Sequence, residues 1–446
     1  MMANMQRFAL MGLFATVLGI ALLCAAEDAS AGGRLPCEQA RVFSDAAVNA
    51  LVLPYRTEAK VSFNEKSAGA RLAALIQQET LFSMLKYGSV GATELVSERG
   101  DLCDVRNVLL RITRENTLRA GRGLAMIWGR IYEEESQLYL QSYIRFLRRD
   151  EQETIQVDLS APGNQTLQFS GSLPAQAIAM MPRCLTRKDL AEIEERSAQT
   201  LILHKEPRDN APGKRLVAST PEPLTYGVVG AKGDWMQIRS YVTGETGWVR
   251  ARIENERWAL RRFLPELAYL DGVIAYLRLR TAPRVPLTSD PKRIYGWMES
   301  AFTNFETAVG KDAVPEATGL AKAMMGLLVW TQPALATGAD ARSRGAQLFQ
   351  EAVERMPASS DARVLAAITS PFLTRGPAAD KEALIKIDHG LLGAVALDPR
   401  SASALANLER LYQFAIGNAT LAPYAVEELQ VRLAAIKTAR VQPSPR

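Results

Sequence analysis

Catalysis needs a base near its target, a nucleophile near that base, or a metal, and the side chains suited to those tasks are sparse in this chain. Two histidines, His204 and His389, and four cysteines, Cys24, Cys37, Cys103 and Cys184, are the whole stock in 446 residues. No C-x-x-C pair is present and the histidines are isolated, so metal chemistry is not expected. His204 sits beside an apolar strand and His389 precedes Gly390 inside a helical pattern, positions that suit structural or solvated histidines. No G-x-S-x-G, H-E-x-x-H, Walker or G-x-G-x-x-G motif stands where a strand runs into a helix. Gly121-Arg122-Gly123 opens a strand instead of a phosphate-binding helix. The chain therefore reads as non-catalytic, without cofactor or metal; a hydrolase acting through unfamiliar carboxylates is the remaining enzymatic alternative.

Recognition chemistry is better represented, and it is aromatic. Trp235 follows the turn residues Gly233-Asp234, Trp248 follows Gly247, and each leads into β-forming residues. One use for both is to fill a small β-barrel or its mouth, since each buries a large apolar area. The other is to line a groove with Tyr226 and Tyr241, where ring faces accept a peptide or a wall glycan stem. The elements that must position them are short strands: Leu201-Ile202-Leu203, an alternating run from Leu224 to Val229, a turn at Gly230-Ala231-Lys232-Gly233, then the two Trp strands. The order LILHKEP…LTYGVVGAKGDWMQIRSYVTGETGWVRA resembles a bacterial SH3-type domain. That resemblance implies an SH3-like barrel over residues 200–252 and, by analogy, a role at the cell wall; the fold alone does not name a ligand.

The chain opens with Arg7, an apolar run from Phe8 to Ala26, and Ala29-Ser30-Ala31, the order of a secretory signal peptide over residues 1–31. An uncleaved inner-membrane anchor and lipidation at Cys24 are the alternatives, the latter weakened by Leu23 where lipoprotein signals carry Gly or Ala. No later apolar stretch is long enough to cross a bilayer, so the expected location is periplasmic. Cys37, Cys103 and Cys184 would then allow one disulfide and one spare thiol, with the pairing open. A composition of 48% hydrophobic and 23% charged residues fits globular domains, and the net charge of +5 is spread along the chain. With no basic cluster, nucleic acid is not an expected partner.

Residues 34–175 read as an α/β sandwich: an apolar VNALVLP strand ended by Pro54, a helix carrying Leu72, Leu75, Ile76, Leu81, Met84 and Leu85, short strands at Thr93–Val96 and Val105–Ile112, and two long antiparallel strands meeting near Glu133-Glu134-Glu135. With Val52-Leu53-Pro54-Tyr55 and Ile127-Trp128-Gly129-Arg130-Ile131, this order resembles the small periplasmic domain of Tol-system propeller proteins and flagellar outer-membrane lipoproteins. That likeness implies partner binding or packing without catalytic residues. Thr154 to Ser172 reads as an edge hairpin or the start of a linker, and residues 176–199 as a linker helix.

Residues 256–435 carry helical spacing. Phe349 and Ala352 precede Pro357 as Leu391 and Ala394 precede Pro399, while Leu405, Leu408 and Tyr412 follow. These places resemble those of tetratricopeptide repeats, in which a small Ala lets helices approach and a Pro ends the second helix. Pro357 and Pro399 stand farther apart than the roughly 34 residues of one such repeat, so TSPFLTRGPAAD must hold an insertion or a bent helix. Tyr295, Tyr412, Phe349 and Phe372 are expected in the core. Residues 436–446 read as a disordered tail.

The expectation is a multidomain α+β protein: α/β sandwich, central SH3-like barrel, and C-terminal helical repeat array. It would act as a periplasmic scaffold for protein partners of the cell envelope, or as a peptidoglycan-binding accessory that localises a wall hydrolase or assembly machine.

Overall fold

The computed structural model describes residues 47–53, 55–58, 68–87, 90–94, 123–148, 153–173, 177–198, 201–216, 225–233, 235–240, 244–250, 260–281, 289–336, 340–374 and 376–441. The proposed signal, Cys37, Cys103, the 105–112 strand, Tyr241 and the last five residues lie outside these. The fold is mixed α+β, with a β-rich first half and eight helices among the described residues of the second.

The first half is built on one sheet. Strands β1 (Val48–Val52), β2 (Arg56–Thr57), β3 (Val90–Glu94), β4 (Gly123–Glu134), β5 (Gln137–Arg148), β8 (Ala177–Ala179) and β9 (Arg183–Leu185) form one part of it. A second part comprises β10 (Leu201–His204), β11 (Gly213–Leu216), β12 (Thr225–Lys232), β13 (Trp235–Ser240) and β14 (Thr246–Arg250). The order is β11-β10-β14-β13-β12-β3-β1-β4-β5-β8, with β2 on β4 and β9 on β5. Helix α1 (Ala68–Tyr87) connects β1 to β3, which are parallel, and β4 lies parallel to β1 on its other side. The two parts join where β12 pairs antiparallel with β3, Tyr226 opposite Ala92.

Local sequence explains the pieces. β1 is buried along its length, as an apolar run in a parallel ladder requires. β4 and β5 pair through twelve rungs and turn at Glu135-Ser136, both at positive φ, which a two-residue hairpin loop demands. Neither residue favours that conformation, so the long ladder holds the turn. Helix α2 (Arg187–Ala198) follows β9 and packs on α1.

In the second half, α3 (Pro265–Thr281), α4 (Pro291–Val309), α5 (Pro315–Thr331), α6 (Ala341–Arg355), α7 (Ser360–Thr369), α8 (Lys381–Leu397), α9 (Ala402–Gly417) and α10 (Val426–Val441) pack as successive pairs. Their starts are written in the sequence. Asp290, Asp340, Ser359, Asp380 and Ser401 each cap a helix through the side chain, worth about 1 kcal/mol apiece. Pro291 and Pro315 occupy first-turn positions where no amide hydrogen is needed. Leu405, Leu408 and Tyr412 are buried, as are Tyr295 and Phe349, with Phe372 partly so.

Two buried polar clusters tie elements together. The Tyr55 hydroxyl donates to Ser142 Oγ (3.1 Å), which donates to Glu266 Oε1 (3.2 Å), linking the loop after β1, strand β5 and the first turn of α3. Burial, then the Glu266 charge, pushes the Tyr55 hydroxyl well above its ordinary value. At the far end, fully buried Asp388 on α8 accepts from Tyr412 (2.7 Å), Tyr424 (2.8 Å) and Arg432 (3.3 Å). Removing Asp388 leaves the Tyr412 and Tyr424 hydroxyls without their acceptor, while Arg432 keeps Glu428. Asp388→Ala should therefore cost about 3 kcal/mol in denaturant unfolding, with amide exchange quickening first in α10. Glu382→Ala, exposed on the same helix, should stay within about 0.5 kcal/mol.

Candidate functional site

The helices of the second half pack as pairs and present one inner row. The first helix of each pair supplies that row. Helix α3 lies on β1, β4 and β5, while α5, α7 and α9 face a two-stranded sheet formed by β6 (Glu153–Ala161) and β7 (Gln165–Leu173). The expected edge hairpin at 154–172 therefore exists, but it is a sheet of its own, laid into the helices.

Its sequence dictates that placement. Ile155, Val157 and Leu159 on β6, and Leu167, Phe169 and Leu173 on β7, are buried, while Thr154, Gln156, Asp158, Ser160, Thr166 and Gln168 are exposed. A strand pair with one apolar face must cover it, and the helices do so. The turn uses Gly163 and Asn164 at positive φ, residues that tolerate it. Gly171 admits Leu365 and Ile368 of α7, whose side-chain carbons would stand 2.7 and 3.0 Å from any Cβ there.

The edges of the hairpin are gripped as well. Asn407, fully buried on α9, accepts from the Ser170 amide (3.0 Å) through Oδ1 and donates to the Ser170 carbonyl (2.6 Å) through Nδ2. Ser403 Oγ also donates to that carbonyl (3.2 Å), and Arg410 donates to Ser170 Oγ (3.0 Å). Ser170 pairs with Gln156 across the hairpin, and on that opposite edge Trp330 Nε1 donates to the Gln156 carbonyl (3.0 Å). The Trp330 ring is held by Phe349, Phe372 and the Arg342 guanidinium. Farther along, Ser160 exchanges backbone hydrogen bonds with Pro377 and Ala379. Between Pro357 and Pro399, the segment after the 3₁₀ turn Ser370–Leu373 closes the hairpin's edge.

Six apolar side chains at about 1.5–3 kcal/mol each put the gross burial on the order of 10 kcal/mol, comparable with a whole domain's net stability. The inner row is thus filled by the chain itself.

The other expected site lies on β10–β14. Met236 and Ile238 of β13, Val249 of β14 and Leu203 of β10 pack inward. Trp235 and Trp248 take the alternating positions and are half-buried. Trp248 stands opposite Gln237 on one side and His204 on the other. The His204 and Trp235 rings meet edge to face at 5.1 Å. Because a carbonyl can only accept, His204 Nδ1 carries the hydrogen that bonds Ala211 O (3.0 Å). Trp235, Trp248 and His204 thus share one face. Tyr226 contributes backbone pairing to Ser240 and Ala92. Gly247 is required by packing, since a Cβ there would stand 2.3 Å from Leu203.

His389 is exposed on α8, and Cys184 carries a free, exposed thiol. Among the described residues no cluster of His, Cys, Asp or Glu has the makings of a metal site, and no helix is long and apolar enough to cross a membrane. Sequence reasoning missed the Asn407, Trp330 and Ser170 clamp; its one available signal was the apolar alternation of 155–159 and 167–173, which calls for a cover. No family model, curated protein or solved structure matches the chain.

Asn407→Ala should destabilise the protein by about 1–2 kcal/mol, because it strips the partner from the part-buried Ser170 amide and one of two donors from its carbonyl. Gly171→Val should cost about 1–3 kcal/mol through overpacking. Gln168→Ala on the open face should be nearly silent. Chemical denaturation, with hydrogen exchange at the Ser170 amide, would rank the three; an Asn407→Ala variant as stable as Gln168→Ala would remove the clamp from the account.

Proposed function

We propose that the protein is an exported, non-catalytic adaptor of the cell envelope, and that the face carrying Trp235, Trp248 and His204 is its partner-binding surface. The observation that carries this reading is the division of labour between its surfaces. The inner helical row is spent on β6–β7, whereas the two tryptophans stand half-exposed on the outward side of β13 and β14. Trp, Tyr and Arg are the residues most enriched where protein partners bind, and Arg239 and Arg250 flank the pair on these strands.

In this reading β10–β14 are an SH3-like module, supported by the antiparallel order β11-β10-β14-β13-β12. The helices are a degenerate tetratricopeptide-like array, supported by paired packing and by prolines just beyond α6 and α8. Cleavage after residue 31 would place the mature chain in the periplasm.

A second reading is favoured by charge. Lys232, Arg239 and Arg250 surround the tryptophans by register, so the carboxylates of peptidoglycan stem peptides are suitable occupants. Sedimentation of the full mature chain with purified cell wall distinguishes the two. Under the wall reading the wild type pellets at low salt and Trp248→Ala lowers the bound fraction at least tenfold while its melting temperature holds. Under the adaptor reading nothing pellets, and Trp248→Ala loses a crosslinked envelope protein. If Trp248→Ala changes neither, the face is not the binding surface.

A further inference from the structure

The register of β12, β13 and β14 distributes charge over the Trp248 face in a fixed pattern, and that pattern narrows the chemistry of a partner further than the aromatic rings do. Trp235, Gln237 and Arg239 alternate with the buried Met236 and Ile238 along β13, so the three share the outward face. Their neighbours on β14 are Arg250, Trp248 and Thr246 in turn. On β12, Lys232 stands opposite Trp235 and Gly230 opposite Gln237. Lys232, Arg239 and Arg250 are exposed, whereas Trp235, Gln237 and Trp248 are half-buried.

Three rungs result. Lys232 and Arg250 flank Trp235 on the first, Gln237 and Trp248 make the middle one with His204 beyond, and Arg239 stands on the third. The middle rung is low at its β12 end, because Gly230 has no side chain and Gln237 Oε1 lies 3.1 Å from where a Cβ would be. Among the described residues these rungs carry no carboxylate. Asp209 meets Arg250 at 3.3 Å from the loop after β10, but both side chains are more than half exposed, and surface pairs of that kind hold each other weakly. Glu245 is engaged by Lys214 at 3.4 Å. The face is therefore positive at both ends and aromatic between.

Distance restricts what can satisfy both ends. Position 235, beside Arg250, and position 239 are four residues apart on one strand, about 13 Å at the rise of an extended chain. A single phosphate, sulfate or carboxylate does not span that gap. An extended peptide does, since its side chains at i, i+2 and i+4 point the same way at the same spacing. We infer, on the reading of this face as the partner-binding surface, that it takes an extended acidic segment of a protein partner. Carboxylates at i and i+4 lie against Arg239 and against the Lys232 and Arg250 end, and an apolar residue at i+2 lies over Trp248. The rings then supply contact while the charges steer approach and fix register.

Fluorescence anisotropy of labelled, end-blocked peptides against the full mature chain tests it. Thr-Glu-Thr-Leu-Thr-Glu-Thr should bind at low salt and weaken as sodium chloride is raised. The isomer Thr-Thr-Glu-Leu-Glu-Thr-Thr, of the same composition and charge, should bind roughly tenfold more weakly or worse. Arg239→Glu should lower affinity for the first peptide by roughly tenfold or more, and one of the two peptides carrying lysine in place of a single glutamate should recover part of the loss. An unchanged melting temperature shows that the variant is folded. Equal affinity for the two isomers overturns the inference while leaving the face as a binding surface, provided Trp248→Ala weakens both. Absence of binding by either peptide up to about 1 mM overturns it as well, including where the chain pellets with cell wall through Trp248 instead.

Discussion

The architecture depends on the capture of one backbone rung. The β6–β7 hairpin offers an outward amide and carbonyl at Ser170 and an outward carbonyl at Gln156, and polar groups left unpaired as they are covered are costly. Asn407 and Trp330 answer them from α9 and α5. Those two helices belong to different pairs, so the clamp also fixes the spacing along the inner row. Phe169, Val157 and Leu159 then fill the space between, and the loop at 377–379 closes the edge. Without the hairpin the helices would present an uncovered apolar row; without the helices the hairpin would be an isolated two-stranded sheet, marginal in water.

The same logic applies at the sheet. β12 spends one edge on β13 and the other on β3, so the strand that completes the small module also shields the parallel core. Strand β1 sits between β3 and β4 and is buried throughout. The polar relay from Tyr55 through Ser142 to Glu266 fastens this sheet to α3, and Arg183 of β9 donates to the carbonyl of Phe263 just before that helix. Sheet, hairpin and helices consequently share one hydrophobic core.

Much of the local structure was legible in the residues. The prolines Pro357 and Pro399 mark helix ends by chemistry acting within a few positions, whereas the side-chain caps at Asp290, Asp340, Ser359, Asp380 and Ser401 were not singled out from the sequence. Trp235 and Trp248 declared their strands because turn residues precede them. Long-range pairing was not legible. Nothing about Tyr226 states that its strand continues into β3, since a ladder is indifferent to which strand supplies its partner groups. Asn407 sits in a helix that looks ordinary, and its importance arises only from what the fold brings opposite. The two long strands β4 and β5 were visible with their turn, but nothing local told which of their faces meets the helices. The separation of Pro357 and Pro399 held no sign of Ser160, which the 377–379 segment meets through backbone hydrogen bonds.

The clamp also sets an order of events for the nascent polypeptide. Ser170 leaves the ribosome 237 residues before Asn407, and sequence-distant contacts of this kind slow folding. Phe169 and its apolar neighbours must wait, wet and adhesive, until the last helices arrive, so a truncated or stalled chain would expose a sticky β-ribbon. A holding chaperone is the cellular requirement that such a late-arriving cover creates.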